Sequence, residues 1–294
     1  MKPMEFAPPP VTKRVPAGAN RAPLALHRVR RHRTIFISDT HLGTRGCKAE
    51  LLADFLAHND CRTLYLIGDI IDGWRLKESW YWPEAHSQVL WAILAKVAEG
   101  TRVIYVPGNH DEAFRDYCGL QLAGVELQPE AIHRTAEGRE FLVIHGDHFD
   151  GIIRYARWLA KPGDWAYRLA LVLNDGLNSV RRRMGLPYWS LSAYLKSKVK
   201  DAAAFIADFE EAAAREARER GVCGVICGHI HRAEIRRINE ILYCNDGDWV
   251  ESCTALTEDW RGRMEIVRWN GLAGDCDEIP AQLAPYAVCE AAAA

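Results

Sequence analysis

Five short polar clusters carry the residues most suited to chemistry: Asp39-Thr40-His41, Gly68-Asp69, Gly108-Asn109-His110-Asp111, His145-Gly146-Asp147 and Gly228-His229-Ile230-His231. The set expected to converge from them is two carboxylates (Asp39, Asp69), one amide oxygen (Asn109) and four imidazoles (His41, His145, His229, His231). This is a mixed oxygen and nitrogen donor set without thiolate, and it suits Mn²⁺, Fe²⁺ or Zn²⁺. Seven donors exceed what one tetrahedral ion takes, but they match two ions sharing a carboxylate. Ion pairs about 3.5–4 Å apart commonly serve to hydrolyse phosphate esters. In Asp-x-His and His-x-His an extended backbone would send both side chains the same way. The glycines before Asp69, Asn109 and His229 would let the chain turn sharply. The expected reaction is in-line attack on phosphorus by a metal-bound hydroxide. His110 would either protonate the leaving oxygen or stabilise the transition state as a cation, with Asp111 orienting its imidazole.

Each cluster follows a short apolar run of strand length: Thr34–Ser38, Thr63–Ile67, Arg102–Val106, Glu140–Ile144 and Gly221–Cys227. Such runs read as buried strands. Helix-length segments lie between several of them, including Lys48–His58 and Glu84–Ala98. The alternation predicts layered α/β architecture, and in open α/β sheets ligands bind at the carboxyl ends of strands. The five clusters should therefore converge. Residues 150–215 break the pattern with helix periodicity, seen in Trp165, Leu169, Leu173 and Leu177 and again in Leu191, Leu195, Phe205 and Phe209. Pro187 and Ser190 suit the start of a second helix there. This predicts a helical insertion at about 150–215 within a domain spanning 34–270. Ala233–Tyr243 and Met264–Trp269 read as antiparallel strands. Residues 1–33 contain six of the thirteen prolines and an Arg-rich end, which predicts a flexible basic tail. Residues 271–294 read as a loose C-terminal tail.

The chain has 294 residues and a formal net charge of -2, but the charge is unevenly spread. Residues 1–33 carry eight basic side chains and one acidic, and residues 150–200 carry ten and three, so the remainder is acidic. That remainder offers no extended basic track for a nucleic acid. No run approaches 18 apolar residues, which argues against a membrane-spanning helix. Nine cysteines without paired spacing point to a reducing compartment, and so to the cytoplasm. Cys223 and Cys227 lie in an apolar run and read as buried thiols, not zinc ligands. The inserted segment interleaves its basic residues with Trp158, Trp165, Trp189, Tyr155, Tyr167, Tyr188 and Tyr194. That mixture suits acyl chains beside phosphate, or contact with an anionic membrane face. Arg154, Arg157, Trp158, Trp165 and Trp189 are the candidate substrate contacts.

SDTHLG (38–43), GDIID (68–72), GNHD (108–111), HGD (145–147) and GHIH (228–231) together resemble the signature of calcineurin-like metallophosphoesterases. The resemblance implies a two-sheet αββα sandwich with a dinuclear centre, here carrying an inserted helical cap. It also implies that Asp39, His41, Asp69 and His231 hold one ion. Asp69, Asn109, His145 and His229 would hold the other, with Asp69 bridging. HGDHFD (145–150), the helical insertion, GHIHRA (228–233) and GDWVES (247–252) are similar to the UDP-2,3-diacylglucosamine pyrophosphohydrolases of lipid A synthesis. This narrower resemblance implies cleavage of a nucleotide-linked acylated sugar to UMP and a lipid sugar 1-phosphate. It further implies two ions, foremost Mn²⁺, an acyl-holding cap, and a place at the cytoplasmic face of the inner membrane. Well-studied members have Arg where this chain has His110, and an acidic residue and phenylalanine around Ile70-Ile71-Asp72. The chain therefore looks like a divergent branch. The alternatives are a phosphodiesterase or phosphatase of the same superfamily acting on another lipid, nucleotide or nucleic acid, a protein phosphatase, and a non-catalytic scaffold. A scaffold would be expected to lack ligands that are all present here.

Overall fold

The computed structural model describes residues 29–151, 191–270 and 276–279. The strands β1 (Arg30–Ile37), β2 (Asn59–Ile67) and β3 (Arg102–Val106) lie side by side and parallel, with Ile35 opposite Leu64 and Leu64 opposite Val103. Their apolar residues alternate between two interiors. Ile35, Ile37, Leu64, Leu66, Val103 and Tyr105 pack towards α1 (Ala49–His58) and α3 (Glu84–Ala98). Phe36, Tyr65, Ile67, Ile104 and Val106 face the other way, into a second sheet. Burial on both faces explains why these strands read as continuous apolar runs instead of alternating ones.

The first sheet runs β13-β12-β11-β1-β2-β3-β5-β4 among the described residues. Its flanks are β4 (Gln121–Leu122), β5 (Val125–Leu127), β11 (Thr254–Glu258), β12 (Met264–Trp269) and β13 (Cys276–Ile279). The second runs β6-β7-β8-β10-β9, built from β6 (Ala131–Arg134), β7 (Glu140–Val143), β8 (Gly224–Cys227), β9 (Glu234–Ile238) and β10 (Ile241–Asn245). The long helix α4 (Leu191–Glu219) covers the outer face of this sheet through Phe209, Ala212, Ala213 and Ala217. Helix, sheet, sheet and helix thus form the expected αββα sandwich.

Three boundaries differ from the sequence reading. The expected basic tail over 1–33 yields its last residues to β1, where Arg30, Arg31 and His32 pair with Asn59, Asp60 and Cys61. Composition misled there because the Arg33 charge is met 2.6 Å away by the buried carboxylate of Glu258, 225 residues downstream. The C-terminal segment expected to be loose contains β13, antiparallel to β12. The helical region reaches past 215 to Glu219, while 152–190 lie outside the described residues. With them go Arg154, Arg157, Trp158, Trp165, Trp189, Pro187 and Ser190. No described helix is long and apolar enough to cross a membrane.

Candidate metal centre

All five clusters leave the carboxyl ends of strands β1, β2, β3, β7 and β8. The backbone there is not extended. Asp39, His41, Asp69, His229 and His231 have φ of 49°, 50°, 54°, 70° and 55°, in the left-handed region. Non-glycine residues adopt it at a cost of about 1 kcal/mol or more each, and Asp and His tolerate it better than most. Left-handed residues in place of an extended chain correct the expectation: Asp39 and His41 still enter one group, while His229 and His231 enter different ones. Backbone bonds between loops fix these conformations: the His41 N–H donates to Asp69 O (2.9 Å), Leu42 N–H to Ile70 O (2.9 Å) and Asp72 N–H to Leu42 O (2.8 Å).

Two glycines serve by closeness of approach. A β-carbon on Gly68, itself at φ +74°, would sit 2.5 Å from the His145 ring, and one on Gly228 would sit 2.5 Å from Asp39 Oδ2. The second is therefore required by close approach, not by the turn expected from sequence.

The donor atoms converge as the spacing predicted. His231 Nε2 lies 3.2 Å from Asp39 Oδ1, His145 Nε2 lies 3.4 Å from Asp69 Oδ2, and His41 Nε2 lies 3.9 Å from each carboxylate. Among the described residues, Asp39, His41 and His231 form one group able to hold an ion, Asp69, His145 and His229 form another, and His41, Asp69 and His110 form a third that joins them. Asp69 stands between them. Its Oδ1 accepts from the His110 backbone N–H at 2.8 Å, which leaves Oδ2 facing the centre. Four buried atoms of the clusters, Asp39 Oδ1, His41 Nε2, Asn109 Oδ1 and His145 Nε2, have no hydrogen-bond partner among the described residues, and the first, second and fourth belong to residues of the groups able to hold an ion. Buried polar atoms without partners are costly, so their presence in these groups fits bound cations. The opposite ring nitrogens are already engaged: His145 Nδ1 donates to Ile67 O (2.8 Å) and His41 Nδ1 to Asp72 Oδ2 (3.1 Å). That arrangement directs the Nε2 lone pairs inward.

Asp72 is the residue that the sequence reading undervalued. Besides His41, the same Oδ2 lies 3.0 Å from His110 Nδ1, an ion-pair contact, while Oδ1 accepts the Arg75 N–H and caps the short helix α2 (Gly73–Glu78). Asp111, expected to orient His110, points elsewhere. Its carboxylate accepts from Gly108 N–H (2.6 Å), Ile70 N–H (2.8 Å) and the Tyr105 hydroxyl, and so ties two loops together. Adjacent residues on a tight turn diverge, which is why sequence neighbourhood named the wrong carboxylate. His110 also meets the Trp74 ring at 4.3 Å and the edge of His41 at 4.7 Å. Ser38 and Asp246 were missed as well. The Ser38 hydroxyl lies 2.5 Å from Asp39 Oδ2 and 2.6 Å from Asp246 Oδ1. Asp246 follows the end of β10, so extending the strand-end rule to that strand would have found it.

Electrostatics agree with a cation site. Burial would raise the carboxyls of Asp39 and Asp69, yet the imidazoles of His231 and His145 hold both well below the usual carboxylate range. Burial likewise opposes protonation of His231, but Asp39 overrides it and pushes the pKa up to about 9. His145 is raised through Asp69, and His110 through Asp72 and Asp69, each against the effect of burial. The carboxylates thus draw positive charge to this point, as protons or as metal ions.

Cys227 is buried and Cys223 half-buried, and neither belongs to a described metal-binding group. A family model described as calcineurin-like phosphoesterase matches residues 32–233. The UDP-2,3-diacylglucosamine hydrolase of Chromohalobacter salexigens is 29% identical over 266 residues, covering 86% of this chain and 97% of that protein. The enzyme of the same name from Porphyromonas gingivalis is 27% identical over 124 residues, 40% of this chain and 47% of that protein. Among solved structures, a Vps29 single mutant from Entamoeba histolytica aligns over 84% of this chain and 97% of its own with TM-score 0.41 and 13% identity. Phosphopantetheinyl hydrolase from Mycobacterium tuberculosis aligns over 75% and 91% with TM-score 0.35 and 16% identity. Since the family match takes in all five clusters and most of the sandwich that carries them, the chain belongs to the calcineurin-like phosphoesterase family.

Proposed function

We propose that the protein is a dinuclear metal-dependent hydrolase of a pyrophosphate or phosphodiester bond, acting on a nucleotide-linked acylated sugar of the UDP-2,3-diacylglucosamine type. The observation that carries the hydrolase reading is the set of buried, unpartnered atoms on Asp39, His41 and His145, residues that belong to groups able to hold a metal ion. The substrate reading rests on the names of the similar hydrolases. Two divalent cations, Mn²⁺ foremost, would supply Lewis acidity and lower the pKa of bound water from 15.7 towards about 7. Asp39, His41, Asp69 and His231 would hold one and Asp69, Asn109, His145 and His229 the other. Asp72 fixes the His110 ring, whose Nε2 lies 3.9 Å from Asp69 Oδ2 at the rim of the centre. From there His110 serves the leaving oxygen, as proton donor or as charge. Asp111 keeps the loops carrying Asp69, Asn109 and His110 in register. The acyl portion falls to the inserted segment with Arg154, Arg157, Trp158, Trp165 and Trp189, which would also bring the enzyme to the cytoplasmic face of a membrane.

His110 favours one other reading, a phosphodiesterase with a different lipid or nucleotide substrate, because the lipid A enzymes place Arg there. A Mn²⁺ activity panel of UDP-2,3-diacylglucosamine, CDP-diacylglycerol, bis-p-nitrophenyl phosphate, single-stranded DNA and a phosphopeptide separates the two. Preference for the first compound supports the proposal; preference for CDP-diacylglycerol or DNA replaces it. Asp69→Ala should remove metal and turnover together, whereas Cys223→Ser should retain both.

A further inference from the structure

Beside the candidate metal centre, at the same carboxyl edge of the sandwich, lies a cavity of about 260 Å³ between the loops that follow β3, β5 and β7. His145 borders it, so it adjoins the place where phosphorus would be attacked. Its volume is below the roughly 300–1,000 Å³ that encloses a drug-sized molecule, which suits a single ring and not a whole nucleotide. Besides the imidazoles of His145 and His148, the polar wall is made of paired charges. Arg115 Nη2 lies 2.7 Å from Asp147 Oδ2, and Glu130 is bound by Arg220. Each carboxylate keeps an oxygen with lone pairs to offer, and the Arg115 guanidinium keeps further N–H donors. A free anion in this space would meet Asp147 and Glu130, and a cation would meet Arg115. A neutral group bearing several hydroxyls can give to the carboxylates and accept from the guanidinium. Carboxylates meet ribose hydroxyls in this way in dinucleotide-binding folds. Pro107 and Pro129 supply an apolar wall for the C–H faces of such a ring.

We infer that this cavity, edged by the Arg115–Asp147 pair and Glu130, is the subsite for the sugar ring attached to the phosphate under attack. The inference rests on the nucleotide-sugar reading above and deepens it. The ring is either the ribose of the nucleotide or the hexosamine, and both share the same hydroxyl chemistry.

The test uses Mn²⁺-loaded full-length protein and the variants Glu130→Gln and Arg115→Met, which lie on separate loops. Three esters are compared: bis-p-nitrophenyl phosphate with no sugar, the p-nitrophenyl ester of uridine 5′-phosphate with ribose alone, and UDP-2,3-diacylglucosamine with both. Loss of one or two hydrogen bonds to the ring should lower kcat/KM for a sugar-bearing ester, relative to the sugar-free one, by roughly three- to ten-fold, mainly through KM. A fall for both sugar esters assigns ribose to the cavity; a fall for UDP-2,3-diacylglucosamine alone assigns the hexosamine. Unchanged ratios in both variants overturn the inference, as does a parallel fall for all three esters with metal content intact. Wild-type protein that cleaves the uridine ester but not UDP-2,3-diacylglucosamine would end the acyl-sugar reading and leave the ribose subsite standing. Calorimetric titration with uridine 5′-phosphate in the same variants reads the subsite without turnover. Undiminished binding in both, alongside unchanged ratios for UDP-2,3-diacylglucosamine, counts against it.

Discussion

Asp72 holds two imidazoles with one carboxylate oxygen, His41 at 3.1 Å and His110 at 3.0 Å; the proposed ligand set takes only the first, although His41, Asp69 and His110 also stand together as a group able to hold an ion. Substitution at His110 and at Asp72 should therefore split two observables. His110→Ala should keep about two metals per chain while kcat falls roughly 10²- to 10⁴-fold, the range for loss of a general acid. Asp72→Asn still caps α2 but no longer accepts a charge-assisted bond from His41, so metal affinity should fall by about 10- to 100-fold and kcat with it. Metal analysis by plasma emission, alongside kcat, would reject the scheme if Asp72→Asn lost rate with full affinity at both sites. Protons provide an independent check. His231, raised to about 9 by Asp39, is protonated at neutral pH in the metal-free protein, and an incoming cation must displace that proton. Mn²⁺ affinity should rise with pH as pH climbs from neutral towards about 9. Titration calorimetry in buffers of different ionisation enthalpy should record proton release at pH 7; none would show that His231 is not displaced.

At the scale of elements, the strand-end rule was sufficient to bring the five clusters to one edge, because each is anchored by a strand buried on both faces. Side-chain direction was not legible. It depends on left-handed residues and on cross-loop bonds such as His41 N–H to Asp69 O, and these join segments 28 residues apart. For the same reason the sequence reading gave Asp111 the place beside His110 that Asp72 holds. The candidate acyl contacts fall outside the described residues and stay with the proposal. Closeness of loops yields a prediction in its own right. Gly68→Ala combines a φ of +74° with a β-carbon 2.5 Å from the His145 ring, so the ring must move and with it the Nε2 donor. The variant should bind Mn²⁺ more weakly and unfold at a lower temperature. Gly100→Ala, also at positive φ (+95°) but with nothing within 4 Å of the added carbon, should unfold earlier too while keeping its metal affinity. Equal metal loss in both would point to backbone strain, not contact, as the cause.

For the molecule as a whole, the two sheets must stay in register if clusters from both are to meet, and apolar packing alone is tolerant of sliding. Phe36, Tyr65 and Ile104 from one sheet and Phe141, Ile226 and Leu242 from the other supply the cohesion. A buried carboxylate supplies a fixed point. Glu258 on β11 accepts from Arg33 (2.6 Å) and Thr34 (2.7 Å) on β1, from His133 Nε2 (2.9 Å) on β6, and from the Ala136 N–H (2.8 Å) in the β6–β7 turn. Sequence could not reveal this clamp, since its members span residues 33 to 258 and none belongs to a motif. Burial would raise the Glu258 carboxyl, but these partners hold it below the usual range. A depressed folded pKa means the carboxylate stabilises the fold fully above the unfolded value near 4.5, and that this contribution fades as pH falls through the lower folded value. Glu258→Gln should therefore cost roughly 3 kcal/mol at pH 7, the lower end of the range for breaking a buried ion pair. The gap from wild type should narrow steadily in urea titrations run below pH 4.5. Because the clamp lies away from the clusters, the metal-loaded variant should keep its preference among esters at temperatures where it remains folded. A difference in stability that stays constant down to pH 3 would mean that shape, not charge, is what Glu258 contributes to the join between the sheets.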